Sequence, residues 1–179
     1  MPEFLFDGEK KVLKLDARKK VYDVVRKCAG CHFRELERKS GLSTGSVKHH
    51  LDYLARFGLI ILEKEGSNLR YFPREFKSDN KILMGLLRQE SVRKILLFIL
   101  THDRCTHEQI VKAVRLSPST VSWHLKKLTD HNIIGFIRKG RKTHYNILVD
   151  KDEIVKLLIT YRQSFVDSLV DRVIEAWDI

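Results

Sequence analysis

The sequence predicts a mainly α-helical protein with small β-hairpins, an α+β chain made of two similar modules in tandem plus a C-terminal helix. Three observations carry that prediction. Residues 31–60, CHFRELERKSGLSTGSVKHHLDYLARFGLI, align without a gap on residues 105–134, CTHEQIVKAVRLSPSTVSWHLKKLTDHNII. Each copy has apolar residues at helical spacing, then two extended runs around a glycine. The last thirty residues carry a wide apolar stripe of helical period.

The shift of 74 pairs Cys31 with Cys105, Ser43 with Ser117, Val47 with Val121, His50 with His124, Leu51 with Leu125 and Leu54 with Leu128. It continues to Gly66 with Gly140 and Tyr71 with Tyr145. A unit of roughly 60 residues is close to the smallest that folds alone. The predicted boundaries are 1–76 for the first module, 77–90 for a linker helix, 91–149 for the second module and 150–179 for the C-terminal helix.

Each module opens on a helix, with Val21, Val24 and Val25 apolar in the first copy and Ile95, Leu96, Phe98 and Ile99 in the second. A short helix follows, FRELERKS or HEQIVKAV. A break, GLS or RLS, then leads to a third helix capped by Ser43 or Ser117, because a serine hydroxyl accepts an orphan backbone N–H there. Pro118 falls at the first helical position, where its missing N–H costs nothing. Val47, Leu51 and Leu54, with Val121, Leu125 and Leu128, mark the buried face. The runs GLIILEKEGSNLRYFP and NIIGFIRKGRKTHYNI predict two-stranded hairpins. In the linker, Ser78 or Asp79 caps a helix over 81–88 with Ile82, Leu83, Leu86 and Leu87 apolar. Such a helix spaces two modules more firmly than a flexible tether, and two reading heads in one chain can act as a pseudo-dimer.

The pattern LS-x-x-[ST]-V-x-x-HL-x-x-L, found twice, resembles that of winged helix-turn-helix regulators of the ArsR-like kind, and in particular archaeal regulators with two such modules in tandem. The resemblance covers residues 16–149. It implies a sequence-specific, double-stranded DNA-binding transcriptional regulator, with the third helix of each module in the major groove and the wings on the backbone or minor groove. On the third helix of the first module, Ser43, Thr44, Ser46, Lys48, His49 and Tyr53 are then the DNA-facing candidates. The second module offers Ser117, Ser119, Thr120, Ser122, Trp123, Lys126 and Lys127. Hydroxyls suit phosphates, and Lys and His reach phosphates or base edges. Trp123 either stacks on DNA or packs against the wing. In the wings the candidates are Lys64 and Arg70, beside Glu63 and Glu65, and Arg138, Lys139, Arg141 and Lys142 around Gly140. The second wing is the stronger electrostatic anchor. The basal transcription machinery is a further partner expected of such a regulator.

Charge agrees with an anionic partner. The net charge is +11, and nucleic acid is the commonest partner of such a balance. Residues 77–150 hold 14 Lys/Arg against 6 Asp/Glu, whereas residues 151–179 hold 4 against 6, so the tail lies off the basic surface. No apolar run is long enough for a membrane span, and the N-terminus lacks the pattern of a secretory signal, so a cytoplasmic protein is expected.

Residues 28–32, CAGCH, match the pattern of c-type haem attachment. The repeat argues against haem: Cys31 aligns with Cys105, but His32 aligns with Thr106, and no export signal precedes it. Packing of half-buried thiols is the plain reading of Cys28 and Cys31. A redox pair remains the alternative, since the turn between them could close a disulfide; the resemblance adds that some archaeal tandem regulators use such a pair as a sulfur or redox switch. A zinc site lacks two further ligands, so no metal or other cofactor is expected. His50 and His124 are expected at the core border, bonded to a backbone group.

The tail predicts one helix over 151–177, opened by Asp150 and Glu153, with Ile154, Leu157, Leu158, Tyr161, Phe165, Leu169, Val173, Ile174 and Trp177 on one stripe. A homodimer through this helix is the expectation, packing on its own chain the alternative. Two other classes of protein call for different residues. A winged-helix module binding protein in a transcription or chromatin complex calls for acidic or apolar third helices, which the basic second wing opposes. An enzyme calls for a nucleophile elbow, paired carboxylates, a phosphate cradle or a chelating helix pair, and the sequence has none.

Overall fold

The computed structural model describes residues 11–66, 68–77 and 80–165. Contacts divide the chain into two compact units, residues 1–78 and 79–179. In the first unit α1 (Asp16–Lys27) precedes a two-residue strand β1 (Cys31–His32), α2 (Phe33–Ser40), α3 (Thr44–Arg56), β2 (Ile60–Glu65) and β3 (Asn68–Pro73). The second unit opens on α4 (Asn80–Leu87) and then repeats the plan with α5 (Glu90–Thr101), β4 (Cys105–Thr106), α6 (His107–Val114), α7 (Pro118–Asp130), β5 (Ile134–Lys139) and β6 (Lys142–Ile147). From α1 to β3, every element recurs 74 residues later with the same bounds. Each unit is a winged helix-turn-helix.

The sheets repeat as well. They are three-stranded and antiparallel, in the orders β1-β3-β2 and β4-β6-β5. Cys31 pairs with Tyr71 and Cys105 with Tyr145, so the short strand ahead of the second helix fastens it to the wing. Gly66 and Gly140 hold φ of 59° and 60° at the wing tips, a left-handed turn that a side chain would strain.

The third helices form where the sequence puts them. Ser43 caps α3 by accepting the N–H of Ser46 at 3.4 Å, and Ser117 caps α7 through Thr120 at 3.2 Å. Val47, Leu51 and Leu54 follow at helical spacing and are buried, as are Val121, Leu125 and Leu128. Val21, Val25, Leu36, Leu59 and Tyr71 complete the first core. Burying one such side chain contributes roughly 1.5–3 kcal/mol, and these contacts hold each third helix in place.

Two predicted segments turn out differently. The helix between the modules runs from Asn80 to Leu87, and Leu83, Met84, Leu86 and Leu87 are buried, so it is a packed element of the second unit. The predicted caps Ser78 and Asp79 lie outside the described residues. The tail helix is shorter than its stripe: α8 (Lys151–Thr160) starts at Asp150, whose carboxylate accepts the N–H of Asp152, and stops at Tyr161. A tighter turn over Arg162–Ser164 follows, with Ser164 N–H on the Tyr161 carbonyl at 2.7 Å. That turn brings Phe165 into burial, 5.3 Å from the Arg93 guanidinium. Ile154, Val155, Leu157 and Leu158 are buried within the chain, so this part of the stripe is already covered. Leu169, Val173, Ile174 and Trp177 lie outside the described residues.

Candidate nucleic-acid interface

The third helix of each unit presents a small polar surface at its start. Ser43, Thr44, Lys48 and His49 are exposed on α3, and Ser46 is half-buried. On α7 the exposed residues are Ser117, Ser119, Ser122, Trp123 and Lys126, with Thr120 and Lys127 half-buried. No acidic residue stands in the first turn of either helix, so a phosphate meets backbone N–H groups and hydroxyls without a repelling carboxylate.

The hydroxyls of α7 are organised among themselves. Ser117 Oγ lies 3.0 Å from Ser119 Oγ and 2.7 Å from Thr120 Oγ1. Ser122 Oγ lies 2.9 Å from Nε2 of His107, at the start of α6. His107 was not among the expected site residues, because nothing in a linear pattern places the first residue of one helix against the middle of the next. Lys126 meets Asp130 one turn on, an exposed pair that contributes little and leaves the ammonium available. Trp123 is 60% exposed, so it does not pack against the wing. Lys127 Nζ lies 5.9 Å from the Trp123 ring and bonds Gln89 Oε1 at 3.2 Å.

The wings differ in exposed charge, and two of the expected site residues, Arg70 on the first wing and Tyr53 on α3, are buried or half-buried. Arg138, Lys139, Arg141 and Lys142 are all exposed around Gly140, as is Lys64 on the first wing. Arg70 is 5% exposed, and its Nη1 donates to the Gly30 carbonyl at 2.8 Å. It ties the wing to the turn before β1, so its guanidinium is not presented on the wing surface where the sequence reading put it. His144, its counterpart, does the same through Nδ1 to the Arg104 carbonyl at 2.8 Å. That shared register was the signal in the sequence. Tyr53 is half-buried, stacked on Phe57 at 4.5 Å with the Arg18 guanidinium 3.5 Å above its ring. Its ring face is therefore occupied.

On the inner side of the third helices lie His50 and His124, 4% and 8% exposed. Their Nδ1 atoms find no hydrogen-bond partner among the described residues, contrary to the expected backbone bond. Burial lowers the pKa of both; His49 and Arg18 add to this at His50, and Lys127 at His124.

Cys28, Cys31 and Cys105 are buried thiols outside any disulfide. Burial pushes the Cys105 thiol up to about 11. Cys28 differs in its neighbour, since Lys39 Nζ donates to its sulfur at 2.9 Å and meets Glu35 at 3.3 Å. Burial lowers the pKa of Lys39, but the hydrogen bond and charge of Cys28, and then Glu35, outweigh it and the net shift is upward. Among the described residues no group of His, Cys, Asp and Glu is arranged to hold a metal, and no helix is long and apolar enough to cross a membrane.

Comparison with known proteins gives two family matches. Residues 15–83 match a family described as an N-terminal HTH domain, and residues 88–134 one described as winged helix-turn-helix DNA-binding. An uncharacterized HTH-type transcriptional regulator of Methanocaldococcus jannaschii is 31% identical over 141 residues, which is 78% of this chain and 35% of that protein. This chain thus spans about a third of that relative's length. The solved structure of reduced HlyU from Vibrio cholerae N16961 is 20% identical, covers 47% of this chain and 90% of that one, and has a TM-score of 0.42.

Proposed function

This chain is a tandem winged helix-turn-helix protein, and we propose that it is a cytoplasmic, sequence-specific, double-stranded DNA-binding regulator of transcription, of the ArsR-like type. One observation carries the reading: the same hydroxyl-capped third helix, with no acidic residue in its first turn, occurs twice, and the second copy is followed by a wing whose four exposed cations surround its glycine. The third helices read base edges in the major groove, and the second wing grips the phosphate backbone. A protein-binding winged helix predicts acidic or apolar third helices, which these are not.

The test is selection of retained fragments from a pool of duplex DNA, with a salt titration on the enriched sequence. A steep loss of affinity with salt and one enriched motif are expected. A flat titration with no motif removes the reading.

A homodimer is the finer proposal. It now rests on the apolar positions Leu169, Val173, Ile174 and Trp177, since the stripe on α8 is covered. Removal of residues 166–179 is expected to halve the mass in solution; an unchanged mass rules that contact out. Contact with the basal transcription machinery stays part of the same proposal.

The Lys39 contact favours a second reading, in which Cys28 and Cys31 sense redox state. With a small disulfide as oxidant, the two thiols would join, and the reagent would leave as two thiols. Loss of DNA binding on such oxidation, restored by dithiothreitol and absent in Cys28→Ser, supports it; binding indifferent to oxidation removes it.

A further inference from the structure

Among the described residues, three that are not glycine hold a left-handed backbone: Arg104, Arg115 and Asn132, with φ of 59°, 55° and 55°. Each aligns on a glycine of the first unit, Gly30, Gly41 and Gly58, with φ of 75°, 65° and 67°. The second unit therefore holds with side chains what the first holds with glycine, against the steric cost of a Cβ.

At Arg115 the backbone has the same task in both units. Its N–H donates to the Val111 carbonyl at 3.0 Å, as Gly41 N–H donates to Glu37 at 2.9 Å. Glycine would close α6 with less strain, so helix termination does not account for arginine. What glycine lacks is the charge. Arg115 is exposed, enters no ion pair among the described residues, and stands two residues before Ser117, where α7 begins.

In the first unit another element supplies a cation at this place. A Cβ built on Gly41 would have Lys20 Nζ 4.0 Å away, and Lys20 is exposed on α1 without an ion pair among the described residues. The counterpart of Lys20 is Lys94, which is paired with Glu90. Each helix-turn-helix turn thus carries one uncommitted cation, from α1 in the first unit and from the turn itself in the second.

We propose that Lys20 and Arg115 are phosphate contacts, each placed beside the turn that leads into a third helix, and that Arg115 keeps its strained backbone for the sake of that charge. The proposal rests on the DNA reading above and adds two residues to it.

The test uses the full chain and a labelled duplex of mixed sequence, titrated with potassium chloride. Arg115→Gly, Arg115→Ala and Lys20→Gln should each reduce the slope of log affinity against log salt by ~0.9, the value for one phosphate contact. Arg115→Lys should restore the slope. Arg115→Gly should also melt about 2–4 °C higher than the parent, since it relieves the left-handed strain while losing affinity. If the parent binds with a steep slope and Arg115→Gly and Arg115→Ala keep it, Arg115 is no contact; an unchanged Lys20→Gln removes Lys20 likewise. A parent with no salt dependence removes the DNA reading itself, so the two failures are told apart by the first titration.

Discussion

The two units share a backbone plan residue for residue and differ in what they put on its surface. The first wing, EKEGSN, mixes signs, and the second, RKGRK, does not. The first unit relaxes its left-handed turns with glycine; the second spends two arginines and an asparagine there. The first seats a lysine beside a buried thiol, and the second leaves its counterpart position to an exposed histidine, His102. The lesson is that the fold constrains the core positions, while the exposed positions are free to give the two modules different charge.

The largest expected effect tests that division directly. Replacing Arg138, Lys139, Arg141 and Lys142 together by Ala should cut the slope of log affinity against log salt by about 3–4, one step per phosphate released. Lys64→Ala should cut it by less than about 1. Fluorescence anisotropy across a salt series reads both. Equal losses from the two wings would break the asymmetry, and DNA would then be held by both modules alike.

Next in size is a test of what the units share. Leu51 and Leu125 are both 2% exposed at matching positions. Each, changed to Ala, should lose about 2–5 kcal/mol in its own unit, and by similar amounts. Urea unfolding followed by circular dichroism measures this. A difference beyond about 1 kcal/mol would mean that the cores relax differently around the cavity despite their common register.

Much of this was legible in the sequence, because a gapless repeat supplies two readings of every element. Helices α2 and α6 begin and end where the pattern puts them. The errors have physical causes. The stripe in the tail runs on past Thr160, but period alone cannot foresee that Phe165 turns in beneath Arg93. Arg70 was read as a wing cation because hairpin alternation shows which residues share a face without showing which face meets the turn before β1. His107 meets Ser122 across two helices, a contact that linear spacing does not encode.

A smaller effect lies at the caps. Ser43→Ala and Ser117→Ala should each destabilise by about 1 kcal/mol, since each removes the acceptor of one orphan N–H. Ser117 also holds Ser119 and Thr120 through its hydroxyl, whereas Ser43 has only the Ser46 bond among those described. DNA affinity should therefore fall more in Ser117→Ala than in Ser43→Ala. Equal losses of affinity would show that the hydroxyl cluster does not organise the surface it sits on.

The smallest expected effect is one the units should share. Burial lowers the folded-state pKa of His50 and His124 from the ordinary value of 6.5. Above that value both states bind the same number of protons, and these histidines add no pH dependence. As pH falls below it, the unfolded chain takes up protons that the folded chain refuses, so stability declines until the lowered folded value is reached. Thermal melts between neutral and mildly acid pH should show this decline in the parent, reduced in His50→Gln and in His124→Gln and reduced further in the double variant. A parent curve that stays flat below 6.5 would mean that each ring takes its proton without leaving its place, and the unpartnered Nδ1 atoms would then have found an acceptor on protonation.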